Sequence, residues 1–465
     1  MKVLNSYLYK KTGKGETDNL NNKKEIKNEI IRLALPIAFQ QFMLALVGAS
    51  DAVMLGRLQQ DAMSAVSLAT QVTFVLNLFL AAVVIGENLY VAQYYGKKDY
   101  SMISETFRLA LILTGIITIV FTVCALAFPG KIMYLFTNDP ELIRMGSDYL
   151  RIAGISYLFL GVSQISMTLM KNCGAVGMST FLSMVAVILN IILNAIFIFG
   201  LCGSPRMGIR GAALATVIAT VIQAVWSFGY VMIRRKQVQF FRVRVSRELW
   251  KGFREKTAPV LFNELAWGGG FTMYSVILGH MGSDAVAANG IANISKSLII
   301  CFCMGLGSAG SIVVGNLLGA NRLEEAKEAG KMATIFSIVS GIISGVLLIA
   351  LSPLIVRATG LTTPQAQGYL QKMLLICSYY LAGKSVNCMT IGGIFTAGGD
   401  TKFGMICDTV TLWCVTVPLG ALCAFVFKLP VMVVYFVLNL DEIIKLPAVF
   451  IHYRQYKWVK NITVE

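Results

Sequence analysis

The stretch LALPIAFQQFMLALVGASDAVML, residues 33–55, decides the fold. It is long enough to cross a bilayer, which takes about 20 apolar residues. One acid, Asp51, stands near its end. A charged carboxylate inside such a span costs at least about 2.5 kcal/mol, so Asp51 either sits at an end or has a task. Gln40 lies eleven residues earlier, close to three helical turns. Gln40 and Asp51 therefore share a face, with Val47 between them. A polar stripe of that kind belongs against protein or water, not lipid.

The composition carries this reading to the whole chain. Of 465 residues, 56% are hydrophobic and only 14% charged, and the mean hydropathy is +0.69. That is far too apolar for a soluble protein. Forty Lys and Arg against twenty-four Asp and Glu give a net charge of +16. In a soluble chain this excess would suggest nucleic acid. Membrane proteins instead collect Lys and Arg on cytoplasmic loops, so no nucleic-acid partner is expected. The ten cysteines lie in apolar runs, as Cys301, Cys303 and Cys407 do, without CxxC pairs or His partners. They read as small buried hydrophobes, not as disulfides or a zinc site. Residues 1–30 are rich in Lys, Glu and Asn and show no signal-peptide pattern.

Apolar segments recur twelve times, at about 31–55, 64–91, 107–129, 149–170, 180–202, 211–233, 257–280, 288–317, 332–354, 370–395, 403–427 and 430–451. Runs this long and continuous are helices, because lipid satisfies no backbone group. The fold class is all-α, an integral membrane protein of twelve transmembrane helices. Loops after even-numbered spans hold Lys97, Lys98, Lys171, Lys327, Lys331 and Lys402, while Arg57, Lys131 and Lys428 follow odd-numbered ones. The bias places both termini in the cytoplasm. Arg234 to Lys256 carries nine basic residues against Glu248 and Glu255.

That basic segment falls between the sixth and seventh spans, where a linker between two halves belongs. Sliding the chain by 223 residues sets Pro36 on Pro259, Gly56 on Gly279, Asp61 on Asp284 and Gly96 on Gly319. The expected organisation is a tail (1–30), an N-lobe (31–233), a basic linker (234–256), a C-lobe (257–452) and a cytoplasmic tail (453–465). The lobes are two pseudo-symmetric six-helix repeats running in parallel about an axis along the membrane normal. Such an architecture suits an alternating-access carrier. No GxxxxGK[ST] motif is present, so energy comes from a gradient. One charge moving through 100 mV supplies about 2.3 kcal/mol.

Several stretches together resemble the multidrug and toxic compound extrusion family. They are Pro36 to Leu55, Val91-AQYYGKKD, Asn190-IILNAIFIFG, Gly211-AALATVIA, Ala397-GGDTKFGMICD and Trp458-VKNIT. Their order spans nearly the whole chain. The resemblance implies two six-helix lobes in a V. It also implies export of amphipathic, usually cationic, small organic molecules in exchange for H+ or Na+, with no other cofactor and no enzymatic step. In that family the acid late in the first helix, here Asp51, is central to cation coupling. Its usual company is an Asn and an Asp four apart on the fifth helix, matched here by Asn190 and Asn194. Asn194 thus stands where many relatives have a second acid, and an amide orients or coordinates but does not titrate. The expected cation-coupling set is Asp51, Asn190, Asn194 and Gln40, with any Na+ at Asp51 and Asn190.

In the C-lobe the resemblance puts Glu264 where some relatives use a glutamate for sodium binding or transport. The acid of their tenth helix falls near Lys384 or Ser385. Glu264 and Lys384 form the expected substrate or cation set of this lobe, with a Glu264–Lys384 ion pair as the bland alternative. Lys296 and Asp408 are further intramembrane charges. Asp441, Glu442 and Lys445 read as a self-neutralising i, i+3, i+4 cluster, and Glu87 has no assigned role. Phe39, Phe42, Met43, Trp267, Phe271, Tyr274, Tyr379 and Tyr380 are candidates for cation–π contact with flat cations. Gly305-LGSAG matches GxGxxG but lies inside an apolar helix, where close packing explains it. Gly268 to Gly270 is either a bend or a packing site in span 7. The expected setting is the cell (inner) membrane, with the chain working as a monomer. The alternatives are a flippase for lipid-linked sugars, which would show a strongly cationic cavity, and a channel or membrane scaffold.

Overall fold

A computed structural model describes residues 17–56, 60–234, 244–358 and 363–463. The early tail, Arg57, the linker positions 235–243 and the side chain of Asp51 lie outside the described residues. The rest is helix, with no strand among the described residues. The twelve transmembrane helices form two six-helix lobes. Span 1 is Thr17–Gly56, span 2 Gln60–Lys97 and span 3 Tyr100–Ala127. Span 4 is a pair, Pro140–Ala153 and Ser156–Asn172, bent by 49°. Span 5 is Val176–Phe199 and span 6 Ile209–Arg234.

The C-lobe is more interrupted. Span 7 is Arg247–Gly279, span 8 Ser283–Gly319 and span 9 Leu323–Ala358. Span 10 runs from Pro364–Asn387 into wider π-helical turns at Cys388–Phe395. Span 11 begins at Thr401 and alternates α and π turns to Val426. Span 12 is three pieces, Val431–Leu438, Asp441–Ile444 and Leu446–Arg454. Spans 7, 10 and 12 alone fail a simple length-and-hydropathy test, and each carries ionisable residues mid-span. Span 7 begins ten residues before the boundary the sequence suggests, because Ser246 caps it by accepting from the Leu249 amide. The basic segment therefore ends as the first turns of a helix.

Four buried clusters show how the lobes meet. On the face that carries both termini, Ile26, Ile30 and Ile37 of span 1 pack with Ala309, Val313 and Trp458 of the C-lobe. Beside them Tyr90, Val91 and Ile165 of the N-lobe pack with Leu249 and Phe253 of span 7 and Ile462 of the tail. On the opposite face each cluster stays within one lobe. Leu76, Tyr149 and Tyr157 belong to the N-lobe, and Ile277, Met373 and Tyr435 to the C-lobe. The lobes are thus joined at the terminal face and packed separately at the other. Lipid-facing stripes such as Ile116, Ile119 and Val123 on span 3 stay exposed.

The join is built by the repeat. Gly96 of span 2 backs onto the Asn316 carbonyl, and Gly319 of span 8 backs onto the Gln93 carbonyl. Both pairs are related by the 223-residue offset, as are Asn88 and Ser311, whose side chains bond at 2.9 Å. The pseudo-two-fold axis therefore passes between spans 2 and 8. The turns that follow match too, with Lys98 and Asn321 both left-handed at φ 63° and 58°. Elsewhere Gly305 lies against the Ala38 backbone and Gly310 against Met389, so the GxGxxG stretch is a packing surface. In span 7, Gly268 and Gly270 accommodate Leu78 and Leu412 within an unbroken helix.

A side chain at Gly319 must push the crossing apart. Gly319→Val is expected to lower the unfolding midpoint in detergent, with overpacking costing about 1–3 kcal/mol. Gly290→Val on the same span, where an added Cβ meets nothing within 4 Å, is the control and is expected to leave the midpoint unchanged. Equal midpoints for the two variants would remove the glycine crossing as the basis of the join.

Candidate functional site

Two polar constellations sit inside the lobes. In the N-lobe Asn194 Nδ2 donates to Asn190 Oδ1 at 3.1 Å, one helical turn apart on span 5. The two amides are 1% and 5% exposed, so both are withdrawn from solvent and face protein. Gln40 is buried too, but it donates to Ser183 Oγ and lies 3.7 Å from Met167 Sδ. Gln223 of span 6 joins the same knot, 3.4 Å from Ser183. Ser183 is two turns from Asn190 along span 5, about 10 Å. Gln40 is therefore not brought to the asparagine pair as the sequence suggests. It belongs to a separate knot nearer the terminal face.

Spans 1 and 5 run in the same direction, and their register is fixed by two contacts. Gln40 meets Ser183, and Thr180 Oγ1 donates to the Pro36 carbonyl at 3.1 Å. Carried eleven residues along two parallel helices, an offset of 143 sets position 51, by this register alone, at about the depth of Asn194 along the helix axis.

The C-lobe constellation is a chain of charges across four spans. Lys384 Nζ of span 10 donates to Glu442 Oε1 at 3.0 Å. Glu442 Oε2 takes Lys445 at 3.1 Å, and Lys445 also reaches Asp408 Oδ1 at 2.6 Å. Asn263 of span 7 closes the line by donating to Asp408 Oδ2 at 3.0 Å. Asn387 donates to both the carboxylate and the carbonyl of Glu442, at 2.8 and 2.7 Å. Two lysines thus balance two carboxylates. Glu442 is fully buried with three donors around it, the arrangement that makes an ion pair tolerable inside a protein.

This decides one open alternative and meets one sequence expectation only in part. Lys384 pairs with Glu442 and not with Glu264, which makes no salt bridge among the described residues. The cluster of Asp441, Glu442 and Lys445 neutralises itself only in part, through the Glu442–Lys445 pair. Lys445 ties Glu442 to Asp408 on another span, and Asp441 Oδ1 has no hydrogen-bond partner. The break in span 12 between Leu438 and Leu446 is what lets these side chains diverge. Asn263 and Asn387 went unremarked in the sequence. The signal for Asn387 was its place three residues after Lys384, on the same helical face.

The aromatic candidates surround this chain, and two of their rings are already occupied. Lys384 Nζ lies 5.6 Å from the Trp267 ring centre, and Lys296 Nζ lies 4.4 Å from that of Tyr380. Trp267 stacks on Phe271 at 5.8 Å, and Tyr274 bonds Thr416 at 2.8 Å. Phe39 is 46% exposed and takes no part. A hollow beside them is bordered by Phe271, Tyr274, Asn289, Asn293, Lys296 and Tyr435. Among the described residues no group of His, Cys, Asp and Glu is arranged to hold a metal ion.

A family model described as MatE matches residues 36–196 and 259–422. The two matches start 223 residues apart, the repeat offset itself. The chain belongs to the MatE family. It is 25% identical over 410 residues to the "Probable multidrug resistance protein YoeA" of Bacillus subtilis (strain 168), covering 86% of this chain and 87% of that protein. It is 24% identical over 447 residues to a "Probable multidrug resistance protein NorM" of Thermotoga maritima, covering 94% of each. Among solved structures it superposes on the "Outward-facing conformation of a multidrug resistance MATE family transporter of the MOP superfamily". The TM-score is 0.85 at 18% identity, with 92% of this chain and 95% of that one covered. These likenesses make the chain a multi-pass membrane protein of the MATE transporter family with that two-lobe fold.

Removing one partner from the buried charge chain strands the others. Glu442→Gln is expected to destabilise the protein by about 3–5 kcal/mol, read as a large fall in the unfolding midpoint in detergent. Glu264→Gln, with no ion pair to break, is expected to shift the midpoint little. The reverse ranking would show that the charge chain is not what fixes spans 10, 11 and 12.

Proposed function

We propose that this MatE protein is a secondary active exporter. It exchanges H+ or Na+ for amphipathic, often cationic, organic compounds by alternating access. The observation that carries the reading is the arrangement of the two lobes, which share packing at the terminal face and none at the other. A molecule divided in this way has one closed and one open end, and a second state follows by opening the first. The ion and the substrate must then favour different states or exclude one another, since a ligand that binds both equally shifts nothing. Asp51, level with Asn190 and Asn194, is the proposed coupling carboxylate. With Asn194 in the place of a second acid, coupling in the N-lobe rests on Asp51 alone.

The terminal face is proposed to be cytoplasmic. The nine basic residues of Arg234 to Lys256 and the lysines of the tail support that orientation in the cell (inner) membrane. One chain supplies both lobes, so a monomer encloses the path. In the C-lobe, Glu264 is proposed to attract the cationic substrate or the ion, whereas Lys384 is held by Glu442 and serves packing. The balance of Lys384 and Lys445 by Glu442 and Asp408 favours this reading over export of an anionic lipid-linked sugar, for which a net positive cavity is needed.

In proteoliposomes, a fluorescent cationic dye is expected to accumulate against its gradient when a pH or a sodium gradient is applied separately, and one of the two gradients will suffice. Asp51→Asn is expected to reduce gradient-driven transport to the level seen without a gradient, while the protein still inserts and unfolds cooperatively. Wild-type rates in that variant would overturn the assignment of Asp51. A wild-type protein that moves the dye only downhill would overturn the exporter reading.

A further inference from the structure

Glu87 lies in span 2, about two turns from the inter-lobe crossing, and is 0% exposed. Neither of its carboxylate oxygens has a hydrogen-bond partner among the described residues. Glu442 is equally buried, and there the chain supplies Lys384, Lys445 and Asn387 as donors. At Glu87 it supplies none. A buried carboxylate left without donors is not sustained as an anion, because desolvation is then uncompensated.

The surroundings place this group in the join between the lobes. Its neighbour Gly86 sits against Thr257 and Phe253 of span 7, and Thr257 Oγ1 is itself without a partner. Asn88 accepts from Asn172 of span 4 at 2.9 Å and donates to Ser311 of span 8 at 2.9 Å. The charged group facing Glu87 is Lys171 at the end of span 4, and no salt bridge joins them among the described residues. Span 3 offers its buried acid Glu105 to the Ser246 amide instead. Spans 7 and 8 present Phe253, Thr257 and Ser311, none of them charged.

We infer that Glu87 is a proton-binding site of the inter-lobe join, carrying a proton while the terminal face is closed and releasing it to solvent when the lobes part there. The proton enters and leaves by the same face, so it is not carried across the membrane. Its effect is to make opening depend on pH at that face. With one proton released on opening, the open-to-closed ratio rises by at most about tenfold per pH unit. The sign is fixed by where the proton is bound: acid holds the face shut, and alkali favours opening.

The inference rests on the alternating-access reading, and its test uses a readout other than transport. Hydrogen–deuterium exchange is followed in peptides covering residues 83–97 and 306–322 of the intact protein in nanodiscs, from pH 6 to pH 8.5. Variants are compared with wild type at each pH so that intrinsic exchange cancels. Exchange in wild type is expected to rise with pH relative to Glu87→Gln, which keeps the uncharged shape and stays protected throughout. Glu87→Leu is expected to stay protected as well, which separates loss of the charge from loss of an amide contact. Asp51→Asn is expected to keep the wild-type pH response even though its transport is lost. A wild-type protein whose protection tracks that of Glu87→Gln at every pH, or a Glu87→Gln variant with the full pH response, would overturn the inference. Either result leaves the exporter reading to be judged by dye transport alone.

Discussion

Everything in this molecule depends on two helix backbones meeting without side chains between them. Gly96 and Gly319 let spans 2 and 8 approach until each helix touches the other's carbonyls, at Asn316 and Gln93. Lipid gives helices no hydrophobic reason to associate, so close approach and interhelical hydrogen bonds must do it. The crossing provides both, since it also brings Asn88 to Ser311. Because the crossing lies on the repeat axis, one pair of equivalent positions closes the terminal face for both lobes at once. The clusters around Tyr90 and Ile30 then bury apolar surface on either side of it.

The two glycines of that crossing were legible in the sequence as repeat mates, although their contact was not. The 223-residue offset already paired Gly96 with Gly319, and the family match begins at the same spacing. Spans, lobes and fold class followed from hydropathy and loop charge, because lipid enforces long apolar helices and the signal is strong. What could not be read was where helices break. Span 12 has no proline or glycine at its first break, Asn439 and Leu440, whereas Pro447 opens its third piece. At the interrupted stretch Glu442 and Lys445 pair with Lys384 and Asp408 on other spans. An i, i+3 spacing says that two side chains can meet, not that a third residue from elsewhere will compete for one of them.

The same competition explains the state of the candidate site. The sequence offered Glu264 and Lys384 as a substrate or cation set and left open whether they pair with each other. Glu442 takes the lysine, and Asn387 adds a further donor to its carboxylate. Glu264 is left as a carboxylate beside aromatic rings, which is a better starting point for attracting an ion or a cationic compound than a closed salt bridge. The aromatic faces of Trp267 and Tyr380, by contrast, are used internally by Lys384 and Lys296. In the N-lobe, Gln40 was assigned to the Asp51 stripe from helical phase alone. Phase gives the face and not the depth, and Ser183 holds Gln40 two turns away from Asn190.

One difference between the two halves at the crossing comes from the chain's C-terminal end. Gln93 donates to the Ala397 carbonyl at 2.7 Å and to the Lys460 carbonyl at 3.2 Å, while its oxygen accepts from the Ile462 amide at 2.9 Å. Its repeat mate Asn316 has a side-chain oxygen with no partner among the described residues. Lys97 adds a bond to the Thr463 carbonyl at 2.7 Å, and Trp458 is fully buried against Gly330 and Gly398. The stretch after span 12 is therefore not a free tail. It packs against span 2 on one side of the axis. The repeat axis relates lobe to lobe and not face to face, so the two faces are free to close with different strength. Bonds from span 2 to a segment anchored in the C-lobe are present only at the terminal face, and each must be given up when the lobes part there. The tail thus adds to the closed state an energy that the repeat alone does not contain, and Glu87, buried close to the same crossing, sits where that energy is spent or recovered.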